Sequence, residues 1–263
     1  MVSISRRNLK SPRVELVKKK IGILTSEAEL YVPHENGEIA FYYPPFGPGY
    51  YRNIGIEILS KGLNPCVGDY FASLMHSAFC VWPVQSYFLK IQEMFFNGAS
   101  FYFYNINHYT KRGVYVIQDF LAEGIRDEIN ADNLERLLRG GKEIRGIRFS
   151  PDNRIRFAPK GSYQPGHLSP EDFAKDGLVI ASFNFEGAEK LAIVSSEFPR
   201  PPYIFGCEKH GDDEDEPETK VSNILIHEGV LHFLPMDHGR EIRICGHFAK
   251  DLGDDRIYGF GLI

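Results

Sequence analysis

Hydrophobic and polar positions alternate early in the chain. Leu30 to Tyr43 carries period-two patterning across Gly37 and reads as a hairpin, followed by a Pro/Gly loop, PPFGPG. The period then lengthens. Tyr51 to Lys61, Asp69 to Trp82 and Pro83 to Phe96 show helical spacing, the first stopping at Gly62 and the last opening on proline and closing at Asn97 and Gly98. Phe101 to Asn107 and Val114 to Asp119 return to strand character as an aromatic hairpin around Thr110 to Gly113. A short helix at Asn133 to Arg139 ends in Gly140-Gly141, the best candidate for a subdomain boundary.

Past that boundary the pattern is dominated by short strands. Ile147 to Ser150 and Arg154 to Ala158 flank Pro151-Asp152-Asn153, which supplies a fixed φ and a tolerated left-handed residue for a tight turn. Ser169-Pro170-Glu171-Asp172 is a helix-capping sequence for a short helix ending at Gly177. The apolar run Leu178 to Phe185 reads as a strand, Ala188 to Glu197 as a helix and Tyr203 to Cys207 as a strand, together a segment of βαβ length. Val221 to Ile226, Val230 to Leu234, Glu241 to Cys245 and Ile257 to Leu262 complete a mostly antiparallel meander. Helices and strands come in separate runs, so the expected class is α+β: N-terminal helices with an aromatic hairpin, then a mostly antiparallel sheet with one βαβ-like segment. The expected organisation is a basic segment, 1–20, and a single compact domain, 21–263.

Composition adds limits. With 43% hydrophobic and 25% charged residues the chain is an ordinary globular protein, and its 20 Phe and 14 Tyr are read as core and rim. Cys66, Cys80, Cys207 and Cys245 form no CxxC pair, so free thiols are expected. Residues 1–20 hold seven Lys/Arg without the apolar centre of a secretory signal, and the most apolar stretch, Phe71 to Leu89, is broken by His76, Pro83 and Gln85. The expected setting is therefore cytoplasmic, with no membrane partner. Net charge is −5, and the acidic run 208–218 reads as a solvated loop. No dinucleotide, P-loop, zinc-protease or nucleophile-elbow signature is present, and no cofactor is expected.

The stretch Arg156 to Tyr163, with Phe173 to Gly177 and Glu186 to Lys190, resembles a group of hypothetical proteins encoded in archaeal genomes. Gly68 to Cys80 and Gly113 to Asp119 share the likeness, which covers about half the chain. No activity is attached to that group, so the resemblance implies nothing functional.

Three constellations carry candidate chemistry. On the helix at 69–82 a turn of about 100° per residue puts Asp69, Ser73, His76 and Cys80 on one stripe, opposite the apolar face. Ser73, His76 and Cys80 are then neighbours suited to a histidine-activated nucleophile or a His/Cys metal pair, or the stripe is the polar side of an amphipathic helix capped by Asp69. Near the C-terminus, His232, Cys245 and His247 would share a sheet face if the hairpin register sets His232 opposite Cys245, and a slip of one residue removes that arrangement; no metal is the expectation. The segment 136–160 carries eight Lys/Arg against Glu143 and Asp152. Alternation there groups Ile147, Phe149, Ile155 and Phe157 on one side and Arg148, Arg154 and Arg156 on the other, either an anion-binding face or a solvated one.

The first functional expectation is a non-catalytic intracellular binding protein whose Arg148, Arg154 and Arg156 meet an anionic partner, nucleic acid ahead of a phosphate ligand. The second is a hydrolase-type enzyme with a pocket lined by Ser73, His76 and Cys80. A structural or assembly protein using its aromatic surface is the third.

Overall fold

The computed structural model describes residues 14–16, 27–35, 37–118, 129–205, 218–230, 238–247 and 257–263. The elements in chain order are β1 (Val14–Leu16), β2 (Ala28–His34), β3 (Gly37–Tyr43), α1 (Tyr51–Ser60), β4 (Asn64–Pro65), α2 (Gly68–His76), α3 (Ser86–Phe96), β5 (Ser100–Thr110) and β6 (Gly113–Ile117). They continue as α4 (Ala131–Leu138), β7 (Lys142–Ile144), β8 (Ile147–Phe149), β9 (Ile155–Pro159), β10 (Gly166–His167), α5 (Pro170–Phe173), α6 (Gly177–Ser195), β11 (Tyr203–Phe205), β12 (Glu218–Val230), β13 (His238–His247), β14 (Ile257–Gly259) and β15 (Gly261–Leu262). The class is α+β. Among the described residues no helix is long and apolar enough to cross a membrane.

Two sheets form, one ordered β1-β2-β3-β15-β4 and the other β10-β11-β13-β12-β5-β6-β9-β8-β7, with β14 also pairing β5. The run expected as one strand, Ile257 to Leu262, is split: Ile257–Gly259 joins β5 in the larger sheet and Leu262 joins β3 in the smaller. The larger sheet is organised around β5, buried over almost all its length. Its alternation sends Phe101 and Phe103 into the main core and Tyr102 and Tyr104 to the opposite face, where Tyr51, Ile54 and Ile58 of α1 cover them. Burying side chains of this size stabilises by about 1.5–3 kcal/mol each.

Helices α2 and α6 lie on the Phe101/Phe103 face. Phe71 of α2 packs on both rings, and Phe183 of α6 stands 4.7 Å from Phe103. The two helices approach closely because small residues face each other: a Cβ on Gly68 would sit 2.0 Å from the Ser182 carbonyl oxygen, and one on Gly187 3.2 Å from Ala72 Cβ. Gln118, Asn105 and Arg156 then reach α6 from the sheet.

Several expectations are corrected. Leu178 to Phe183 is helical and only Asn184 interrupts α6, so the βαβ-like segment does not exist. An apolar run buried all round has no periodicity to separate helix from strand, whereas Asp176, whose carboxylate accepts the Leu178 and Val179 N–H groups, is a start signal for a helix. The helix expected at 69–82 is α-helical only to His76 and continues as a π-helical turn, Ser77–Val81. Its N-cap is Val67, and Asp69 is engaged elsewhere. The strand expected at Val221 to Ile226 runs on unbroken to Val230, which places His227 opposite Glu241 in the ladder and not in a turn.

Candidate functional site

Where the two sheets meet α2, a cleft of about 630 Å³ opens, lined among others by His34, Glu35, Asp69, Tyr70, Gln118 and Arg156. That volume suits a small molecule. Ile39, Pro65, Val67 and Leu262 contribute apolar lining, and Gln118, Asp152, Asn153 and Arg154 contribute polar lining.

Part of the cleft lining is a saturated polar cluster. Arg156 is 1% exposed. Its guanidinium donates to both Asp69 carboxylate oxygens, to Gln118 Oε1 at 3.1 Å, to the Ala181 carbonyl at 3.2 Å and, through Nε, to the Asn153 carbonyl at 3.3 Å. Those five acceptors match the five N–H groups of an arginine, so none remains for a ligand. Asp69 also accepts from Gln118 Nε2 at 2.9 Å and Asn184 Nδ2 at 3.1 Å.

The Ala181 and Ser182 carbonyls take these side-chain donors where α6 is interrupted. Asn184 has φ 54° and ψ −177°, and its Oδ1 accepts the Gly187 N–H at 2.9 Å, so it caps the second half of the helix. Ser182 O accepts from both Asn105 Nδ2 and Gln118 Nε2 at 3.0 Å. Breaking the helix here turns Glu186 and Lys190 toward α2.

That turn assembles a second cluster at the tip of β2. Ser73 Oγ lies 2.9 Å from His34 Nδ1 and 2.9 Å from Lys190 Nζ. Lys190 also pairs with Glu186 at 2.6 Å, and Glu186 takes the backbone N–H of Glu35, closing a ring through His34. Burial raises the Glu186 carboxyl, but the Lys190 ammonium outweighs it and leaves the group below its ordinary value. An ammonium only donates, so Ser73 accepts from Lys190, and its other side-chain contact among the described residues is His34 Nδ1. Burial first and the Lys190 charge second lower the His34 pKa, which favours the neutral ring. The ring stands edge-on to Tyr70 at 4.8 Å, with Nε2 3.9 Å from Glu35 Oε1.

The expected residues distribute as follows. Ser73 is buried behind His34 and does not line the cleft. His76 is close enough to Lys190 and Glu186 to feel their charges, and burial pushes it down to about 4. Cys80 falls in the π-helical turn, packs against the core, and is pushed up to about 12 by burial, which suits an inert thiol. The stripe thus does not act as one group: α6 covers its centre and the π-helical turn carries Cys80 out of α-helical phase.

Arg148, Arg154 and Arg156 do not share a face. The register pairs Arg148 with Phe157 and Phe149 with Arg156, and opposed residues of an antiparallel pair point the same way. Arg156 therefore joins Phe149 beneath α6, while Arg148 lies over Phe157 and is held by Glu135 at 2.9 Å through Nη1. Arg154 is exposed and its backbone N–H donates to Asp152. Cys245 faces Asn223 and His247 faces Val221, so Cys245 is not opposite His232, which lies outside the described residues. Burial pushes the Cys245 thiol up to about 12, and among the described residues no three His, Cys, Asp or Glu side chains are grouped to hold a metal. Cys66, Cys80 and Cys245 are free thiols; Cys207 and most of the acidic run 208–218 lie outside the described residues.

Sequence reasoning passed over His34, Lys190 and Glu186. His34 sits alone at a hairpin tip, and only the Glu186-to-Lys190 spacing, one helical turn apart with the acid first, carried a local signal. Comparison of the chain with family models, with curated proteins and with solved structures gives no match.

Proposed function

We propose that the chain is an enzyme performing acid–base chemistry on a small molecule held in the cleft, with His34 as its catalytic group. One observation carries this: the His34 imidazole lines a cleft of ligand size while the buried Ser73 hydroxyl, itself held by the Lys190 ammonium, contacts its Nδ1. A histidine held at one nitrogen by a buried partner, with its ring lining a cleft, has the arrangement that proton transfer needs. This keeps the hydrolase expectation and moves its centre from Ser73, His76 and Cys80 to His34, with Ser73 as a positioning residue. Anion binding has less support: Arg156 has every donor engaged, and Arg148 is committed to Glu135 on the opposite sheet face. Three unpaired thiols suit a reducing, cytoplasmic setting.

The test is turnover of p-nitrophenyl acetate, p-nitrophenyl butyrate and p-nitrophenyl phosphate by the wild-type chain and by His34→Gln. Turnover of one class, reduced roughly 10²-fold or more by the substitution with the circular dichroism spectrum unchanged, is expected. Turnover of none, or turnover indifferent to residue 34, would remove the proposal.

A further inference from the structure

We infer that His34 meets its ligand as a hydrogen-bond donor, through Nε2–H, and that Ser73 and Lys190 hold it in that tautomer, so that the ligand presents a neutral carbonyl oxygen. The inference rests on the enzyme reading for its chemistry but not for its geometry.

The direction of each bond decides the matter. Lys190 Nζ donates to Ser73 Oγ and to Glu186, and it has nothing with which to accept. Ser73 has one hydrogen, and the remaining contact of its oxygen is His34 Nδ1 at 2.9 Å. If Nδ1 carried the ring proton, that hydroxyl hydrogen would be left without an acceptor among the described residues in a site where Ser73 is 1% exposed. The Nε2–H tautomer leaves no such defect. It also makes His34 a donor toward the cleft, the group that polarises an electron-rich oxygen and supplies a proton as charge develops on it.

The surroundings narrow the kind of oxygen. Glu35 places a carboxylate oxygen 3.9 Å from Nε2, while Arg154 acts on Asp152 and the Arg156 charge is compensated by Asp69, which leaves Glu35 as the charge nearest the ring nitrogen. A phosphate or carboxylate ligand brought to Nε2 would meet like charge from Glu35. An ester, amide or ketone carbonyl accepts the same hydrogen bond without that repulsion, and its apolar substituent has Ile39, Val67 and Leu262 to lie against.

Lys190 and Ser73 are positioning residues here, and their role has a spectroscopic signature. In neutral imidazole the protonated and unprotonated nitrogens resonate far apart, so ¹⁵N correlation spectra of the histidine-labelled full chain at pH 8 report which nitrogen bears hydrogen. His34, assigned by its loss in His34→Gln, is expected as Nε2–H in the wild type. Ser73→Ala and Lys190→Met are expected to release it to a mixture of tautomers, and Lys190→Arg to restore it. In the turnover assay Lys190→Met should lower the His34-dependent rate by roughly tenfold or more, with the esters preferred over the phosphate. A wild-type ring protonated at Nδ1, a tautomer unmoved by Lys190→Met, or preference for the phosphate overturns the inference. An Nε2–H ring in a chain with no His34-dependent turnover leaves the tautomer standing and removes the enzyme reading alone.

Discussion

Asp69 and Arg156 stand 87 residues apart in sequence and form a two-pronged ion pair, with the arginine buried and both carboxylate oxygens engaged. The pair joins the start of α2 to β9, and the remaining guanidinium donors reach Ala181 of α6, Gln118 and Asn153. It forms part of the cleft lining and its role is structural.

Removing one partner should be costly. Asp69→Ala leaves a buried guanidinium short of two acceptors and should destabilise by about 3–5 kcal/mol, with Asp69→Leu/Arg156→Met costing clearly less than the sum of the single changes. Urea unfolding of the four chains gives the coupling. A single-variant loss below about 1 kcal/mol would show that water satisfies the arginine.

The helix contact should respond to added volume in a set order. Gly68→Ala drives a methyl against the Ser182 carbonyl, where the ideal Cβ position is 2.0 Å from the oxygen, while at Gly187 the nearest neighbours are Phe183 Cβ at 3.0 Å and Ala72 Cβ at 3.2 Å. Overpacking of this kind costs about 1–3 kcal/mol, with Gly68→Ala at the upper end and Gly187→Ala near the lower. Thermal melts of both variants decide it; equal losses would mean that the helices adjust freely.

How much of this was legible follows from the range of each signal. Local patterning located the β2–β3 and β5–β6 hairpins, α1, the core of α2, and the turn at Pro151-Asp152-Asn153, because each is fixed by turn chemistry or period within a dozen residues. It misread the Leu178 to Phe185 run, whose burial on all sides erases periodicity. It also misassigned the faces of β8 and β9, where the connection fixes which residues oppose each other. Ser73 was found and Lys190 was not, since the 117 residues between them are bridged only by the packing of α6 on α2. Arg156 was read as exposed because strand alternation names a side and says nothing of what covers it.

Asp176 should make stability fall as pH rises. Burial holds its carboxyl up at about 6 against an ordinary 3.8, despite N–H bonds from Val179, Gln164 and Leu178. The folded state thus binds the proton more tightly than the unfolded one. The contribution is complete below about 4 and is lost on passing through 6, an upper bound of roughly 3 kcal/mol. Denaturant titrations between pH 4 and 7.5 should show this slope in the wild type and not in Asp176→Asn. An identical slope in both chains would assign the effect elsewhere.

Glu135 should act in the opposite sense. The Arg148 hydrogen bond is the largest influence on it, opposed by burial and reinforced by Tyr115, and together they bring its carboxyl down from 4.5 to about 2. Its contribution is present above about 4.5 and disappears as pH falls toward 2; with the carboxylate partly solvated, about 1–2 kcal/mol is expected. Glu135→Gln should remove that much at pH 7 and nothing near pH 2, measured by chemical denaturation. A loss independent of pH would point to packing in place of charge.

The interruption of α6 at Asn184 has a mechanical consequence. An unbroken helix of its length would behave as a stiff rod, passing any displacement at one end to the other. Here the rod is cut. The Leu178–Phe183 half is pinned to the large sheet through Arg156, Gln118 and Asn105, while the half bearing Glu186 and Lys190 is tethered to the β2–β3 hairpin through the Glu35 backbone and Ser73. The two halves therefore answer to different partners, and a single non-helical residue, Asn184, is what joins them.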